Sequence, residues 1–132
     1  MSKKIKGFFQ ITGWDENPLS EAEDGSKQSH ANITQTYTGD IEGESEINYI
    51  MSYRADETAV FAGFEILTGH INGKSGSFIL QHNGIFESGV AKSHFVIVKG
   101  SGQEDFVNIS GQGEFCSSTN GQADYNLDYS IA

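Results

Sequence analysis

The stretch Thr58–Phe86, TAVFAGFEILTGHINGKSGSFILQHNGIF, decides the fold. At its centre Asn72-Gly73 supplies two residues that tolerate positive φ, as a type I′ hairpin turn requires. A two-residue turn there sets His70 opposite Ser75, Leu67 opposite Phe78, Glu65 opposite Leu80 and Gly63 opposite His82. Strand alternation then gathers Phe61, Gly63, Glu65 and Leu67 with Phe78, Leu80, His82 and Phe86 on one surface. Val60, Ala62, Phe64 and Ile66 fall on the other, across from Ile79, Gln81 and Ile85. Both surfaces are largely apolar, whereas a hairpin exposed on one side shows one polar face. One surface therefore reads as a barrel interior, and the other as covered by a subunit contact or by the N-terminal segment.

The reading extends outward from this hairpin. A three-residue connection, Ala55-Asp56-Glu57, aligns Tyr53, Met51 and Tyr49 with Ala59, Phe61 and Gly63; one residue of slip would exchange the faces. A turn at Glu87-Ser88 adds Ala91, Ser93, Phe95 and Ile97 to the inner surface and leaves Lys92 and His94 outside. Near the C-terminus Ala123, Tyr125, Leu127, Tyr129 and Ile131 alternate with polar residues. An ideal Asn120-Gly121 hairpin would oppose Phe115 to Asn126, so a bulge or longer turn is expected there.

Eight strands are predicted: about Lys4–Trp14, Lys27–Ile41, Ile47–Arg54, Thr58–His70, Ser75–Phe86, Gly89–Lys99, Ile109–Cys116 and Ala123–Ile131. Asp15–Ser26 reads as the longest connection, Glu42-Gly43 as a reversal, and Gly100–Asn108 as irregular with room for one helical turn. Sixteen glycines and a single proline suit tight turns and few helices. The chain reads as one all-β domain, 1–132. Short consecutive hairpins favour a closed eight-stranded antiparallel barrel, mostly a meander, because closure removes exposed edges. The competing immunoglobulin-like sandwich lacks its paired cysteines.

With 8 basic and 18 acidic residues in 132, and a net charge of −10, no segment offers the dense positive charge that nucleic acid or an anionic membrane requires. The single cysteine, Cys116, calls for no oxidising compartment and reads as a small buried strand residue. No apolar run approaches a membrane span, and polar Gln10 and Thr12 interrupt any signal-peptide core. A cytoplasmic location is expected.

Chemistry is fainter. Glu65 interrupts an apolar face, and a buried carboxylate needs hydrogen bonds, a counter-charge or a proton. His82, on the same face of the neighbouring strand, is a candidate partner. The two are weak catalytic candidates, set against a purely structural polar network or a Glu65 exposed at a barrel mouth. Tyr49, Met51 and Tyr53 can line a cavity and present hydroxyls to a ligand, or simply pack. With Phe61, Glu65, Phe78, Leu80 and His82 they complete a candidate ligand-binding set. Arg54, the only arginine, can fork onto a carboxylate but suits a surface pair with Asp56 or Glu57. The four histidines lack compact ligand spacing and Asp40–Glu46 lacks a calcium-loop pattern, so neither a metal nor a cofactor is expected.

Thr34–Gly43 (TQTYTGDIEG), Tyr53-Arg54, Ser75–His82 (SGSFILQH) and Trp14-Asp15-Glu16 together resemble a family of small, mostly bacterial proteins, a domain of unknown function. The resemblance covers nearly the whole chain and implies an eight-stranded barrel of the allene oxide cyclase type. It also implies homo-oligomers formed through the outer apolar strand faces. Many relatives read Arg-Pro-Asp-Gly where this chain has Arg54-Ala55-Asp56-Glu57. Shared architecture carries no reaction with it. Three functions follow as expectations. The first is a noncatalytic barrel holding a small, partly apolar molecule. The others are a cofactor-independent isomerase or cyclase, and a structural or protein-interaction barrel.

Overall fold

Asn72 and Gly73 both take positive φ (51° and 79°), and the strands they join run in the register their sequence demands. Glu65 pairs with Leu80, Gly63 with His82 and Leu67 with Phe78. The computed structural model describes residues 2–117 and 121–132. These residues form β1 (Lys3–Glu21), β2 (Lys27–Gly39), β3 (Ile41–Tyr53), β4 (Ala59–Ile71), β5 (Lys74–Glu87), β6 (Val90–Ile97), β7 (Gln103–Glu104), β8 (Ile109–Ser117) and β9 (Gln122–Ile131). Every pairing is antiparallel, and β1–β9 together with β4–β5 closes the sheet. Eight strands make the barrel, and β7 is a two-residue addition to β5. The chain is thus a closed up-and-down meander.

The paired residues also fix the barrel's size. From Gly39 on β2 the ladder runs through Gly7, Tyr125, Phe115, Ser93, Gly84, Phe61 and Met51. It returns to β2 at Ser29, ten residues from its start. With eight strands at ordinary spacings, that stagger tilts the strands by about 40° and sets a radius of about 8 Å. Such an interior is wide enough for two opposed layers of large side chains, and it is filled largely by aromatics. Phe61 folds over Gly84 and Phe95 over Gly113, where a Cβ would collide with the ring.

Several boundaries differ from the sequence reading. Asp15–Ser26 is mostly strand, because β1 runs on to Glu21. Beyond Ile11 it leaves β9 and, among the described residues, pairs only with β2, so Pro18 lies on an edge segment, where a proline is tolerated. The β2–β3 reversal lies at Gly39-Asp40, and Gly43 sits inside β3 opposite Gly69. The β5–β6 turn is Ser88-Gly89, both at positive φ (54° and 77°). It lies one residue later than expected; the shift preserves which side chains face in. Gly100–Asn108 holds β7 and tight turns instead of a helical turn. Phe115 pairs with Tyr125, as a longer turn allows; Asn120 of that turn lies outside the described residues. This register puts Phe115 inside and Cys116 outside, so the thiol is exposed. The N-terminal strand lies between β2 and β9 and does not cover the outer face of the β4–β5 hairpin.

Candidate functional site

One end of the interior is plugged. The turn after β7 drops Phe106 into it, fully buried and edge-on to Phe78, their ring centroids 5.3 Å apart. Ile41, Leu67, Ile71 and Ile97 fill the space around them.

A polar network crosses the middle. Glu65 (0% exposed) and His82 (1%) meet at 2.7 Å between Oε1 and Nε2. The second Glu65 oxygen accepts the Tyr37 hydroxyl at 2.5 Å, and His82 Nδ1 lies 2.9 Å from Ser93 Oγ. Both carboxylate oxygens and both ring nitrogens are therefore partnered. That offsets the several kcal/mol that an unpaired buried ion would cost. His82 is also packed between the rings of Tyr49, Phe95 and Phe115. Burial, followed by the charge of Glu65, pushes the Tyr37 phenol well above its ordinary pKa.

The opposite end is open. A cavity of about 220 Å³ lies among Phe9, Ile33, Met51, Phe61 and Phe115, with Trp14 and Phe86 at its rim. Tyr49 and Gln35 also line it, and both are buried. The Tyr49 hydroxyl has no hydrogen-bond partner, and neither has Gln35 Nε2. Gln35 approaches the Tyr37 phenol and opposes the rise in its pKa, but not in hydrogen-bond geometry, so its N–H groups stay without an acceptor. Burial and then the charge of Glu65 hold the Tyr49 phenol well above its usual pKa, so it keeps its proton. Buried polar groups in native proteins are nearly all paired. Ser45 Oγ and Asp128 Oδ1 are also buried without partners; what sets Tyr49 and Gln35 apart is that both line the apolar cavity.

The rim is held by a clasp on the free part of β1. A bulge between Ile11 and Gly13 shifts the strand's parity, so Trp14 pairs with Ile33 and Glu16 with Ala31, both inward positions. Glu16 then accepts Ser29 Oγ (2.5 Å) and the Tyr53 hydroxyl (2.8 Å) on Oε2, and Trp14 Nε1 (3.0 Å) on Oε1. Partial burial works to raise the Glu16 pKa, but these bonds and nearby Lys27 outweigh it and hold the carboxyl below its ordinary value. The Tyr53 phenol is pushed to about 12, first by burial and then by its bond to Glu16.

A family described as "Protein of unknown function (DUF3224)" matches residues 5–129. The chain belongs to that family. A crystal structure of a DUF3224 protein of unknown function from Shewanella oneidensis MR-1 superposes with a TM-score of 0.82. It covers 100% of this chain and 98% of its own, at 24% identity, and shares the barrel fold. No curated protein matches the chain. The family and the barrel are as the sequence led one to expect, and neither comparison names an allene oxide cyclase.

Within this DUF3224 barrel the expected site residues separate into four places. Tyr49, Met51 and Phe61 line the cavity. Tyr53 stands at the rim clasp, half-buried. Glu65 and His82 touch each other and do not line the cavity; His82 packs against Tyr49 and Phe115, which do. Phe78 and Leu80 belong to the core towards the plugged end. Arg54 donates to Thr58 Oγ1 at 3.0 Å on the surface. Sequence reasoning missed Tyr37, Gln35 and Glu16 as members. All three lie in the TQTYTGDIEG and WDE stretches that carry the family resemblance, and that was the available signal.

Proposed function

We propose that this barrel binds a small, partly apolar molecule in its mouth cavity and does not transform it. The supporting observation is the 220 Å³ apolar void with two buried, unpartnered polar side chains, Tyr49 and Gln35, in its wall. Binding sites of this kind combine apolar walls with a few placed polar groups. The position of Glu65 and His82 favours binding over an isomerase or cyclase. A general acid or base must reach the reacting proton, whereas both residues are buried behind the cavity wall with their hydrogen bonds already made. A bacterial source fits the Shewanella oneidensis relative, and a cytoplasmic setting fits the exposed free thiol at Cys116. The barrel is greasy inside and carries Lys92, His94 and Glu114 outside, opposite to the polar lumen and apolar belt of a membrane barrel. Among the described residues no helix is long and apolar enough to cross a membrane.

The test is a thermal-shift screen of small, weakly polar metabolites against the wild type and Ala91→Phe, whose new ring fills the cavity from β6. A ligand at 100 times its Kd adds about 2.7 kcal/mol, roughly 10 °C for a chain of this size. The expected result is a saturable rise in wild-type Tm that Ala91→Phe lacks. No hit in the wild type, or equal shifts in both proteins, would overturn the proposal.

A further inference from the structure

Three properties of the cavity wall narrow the ligand. The first is size: a dry cavity of about 150 Å³ accepts benzene, so 220 Å³ suits a molecule of about nine non-hydrogen atoms. The second is charge. None of the described residues lining the cavity is charged, and the nearest carboxylates, Glu65 below and Glu16 at the rim, already hold their donors. An anion would find no cation there, and an ammonium group no free carboxylate. The third is hydrogen-bond polarity. Tyr49 keeps its proton and offers an O–H, and Gln35 Nε2 offers N–H groups, so the unmet requirement is for an acceptor.

We infer, resting on the binding role proposed above, that the ligand is a neutral carbonyl compound whose oxygen accepts from Tyr49. A carbonyl oxygen can accept from the Tyr49 hydroxyl while its carbon frame occupies the apolar remainder, and Gln35 is a second donor in the same wall. A hydrocarbon of the same shape would leave both donors unpaired, and buried polar groups left unpaired are the main source of strong discrimination.

Isothermal titration of three probes of matched size tests this: acetophenone, α-methylstyrene with a methylene in place of the oxygen, and benzoate. Acetophenone is expected to bind at least tenfold tighter than α-methylstyrene, and benzoate to bind weakest. Tyr49→Phe should remove most of the ketone's advantage. Equal affinity for ketone and hydrocarbon, or tightest binding of benzoate, would overturn the carbonyl assignment and leave the binding role standing. If none of the three binds, the binding role itself falls.

A separate observation concerns the outside. Phe64 and Ile66 are each 52% exposed on β4, and Ile50, Val60 and Ile85 lie exposed around them. Outward positions from Val60 to Thr68 on β4 and from Ser77 to Ile85 on β5 carry no charge, in a chain of net charge −10. Ile50, Val60, Ala62 and Ile85 form the apolar wall of an outer groove of about 900 Å³, and Phe64 and Ile66 make a ridge beside it.

The geometry points to a second copy of this chain as the occupant of that groove. Two such acidic chains repel, and the outward strip of β4 and β5 carries no charge of its own; Glu46 stands beside Ile66, and the groove's far wall holds Lys92 as well as Glu114 and Asp124. A two-fold axis near Ala62 puts the ridge of each copy into the apolar side of the other's groove, a self-complementary contact. The exposed parts of these five side chains amount to about 400 Å² of apolar area. That is about half the roughly 800 Å² per partner of a stable interface, and the charged far wall of the groove can supply the remainder. Sedimentation equilibrium at micromolar concentration should give a dimer, and Phe64→Glu a folded monomer by circular dichroism. In a Cys116→Ser background, Ala62→Cys should cross-link to its symmetry mate under oxidation. A wild-type monomer, or a dimer that survives Phe64→Glu and resists the Ala62→Cys cross-link, would overturn the assignment.

Discussion

Tyr37 and Tyr49 are buried to the same extent, stand on adjacent strands and feel the same Glu65. One gives its hydroxyl to that carboxylate, and the other gives its hydroxyl to nothing. The contrast marks the division of the barrel interior. From the middle to the Phe106 plug the large side chains are packed and Glu65, His82 and Tyr37 are paired with one another or with Ser93, while the small Ser45 hydroxyl is buried there without a partner. From Tyr49 to the mouth there is a void with loose donors. The first region holds the fold together, and the second is where the proposed ligand would sit.

Glu65→Ala should break this division most severely. It leaves His82 and Tyr37 without their acceptor, and removing one partner of a buried pair costs about 3–5 kcal/mol; urea unfolding measures it. Phe106→Ala tests the plug itself, with an expected loss of about 3 kcal/mol from a cavity at a fully packed site. The sharpest comparison is the same change at both tyrosines. Tyr37→Phe strips one Glu65 oxygen of its donor and should cost about 2 kcal/mol, whereas Tyr49→Phe should change stability by less than about 0.5 kcal/mol or raise it. Equal effects would remove the distinction between the two regions.

The smallest expected effect lies at the rim. The Glu16 carboxyl is held below its ordinary value, so its ionised form favours the folded state. Its contribution is present above about pH 4.5 and is lost as pH falls through the folded-state value. In urea midpoints followed against pH, Glu16→Gln should fall below the wild type at neutral pH and approach it on acidification. A constant gap down to pH 3 would contradict the clasp.

What could be read from the sequence follows from strand periodicity. A two-residue Asn-Gly turn fixes parity for the strands beside it, and so the facing of Glu65, His82, Phe61 and Met51 was legible, down to the pairing of individual residues. Parity is lost at a bulge. The irregularity between Ile11 and Gly13 turned Trp14 and Glu16 inward within a segment that reads as an acidic loop, and no alternation pattern announces such a step. The Tyr37–Glu65 bond was hidden for another reason. These residues lie on β2 and β4, separated by β3 and offset along the strands, so only the closed, staggered barrel brings them together. Phe106 arrives from a turn that has no periodicity to read. Local pairing was visible, and contacts across the lumen were not.

The central claim is that the mouth cavity is a ligand site, and the chain carries a convenient reporter. Of its two methionines, Met51 lines the cavity and Met1 begins the chain. With both methyl groups labelled with carbon-13, titration with acetophenone should move the Met51 resonance saturably and leave Met1 in place. A Met51 methyl that stays fixed up to saturating ketone, or two resonances that drift together, would contradict the account.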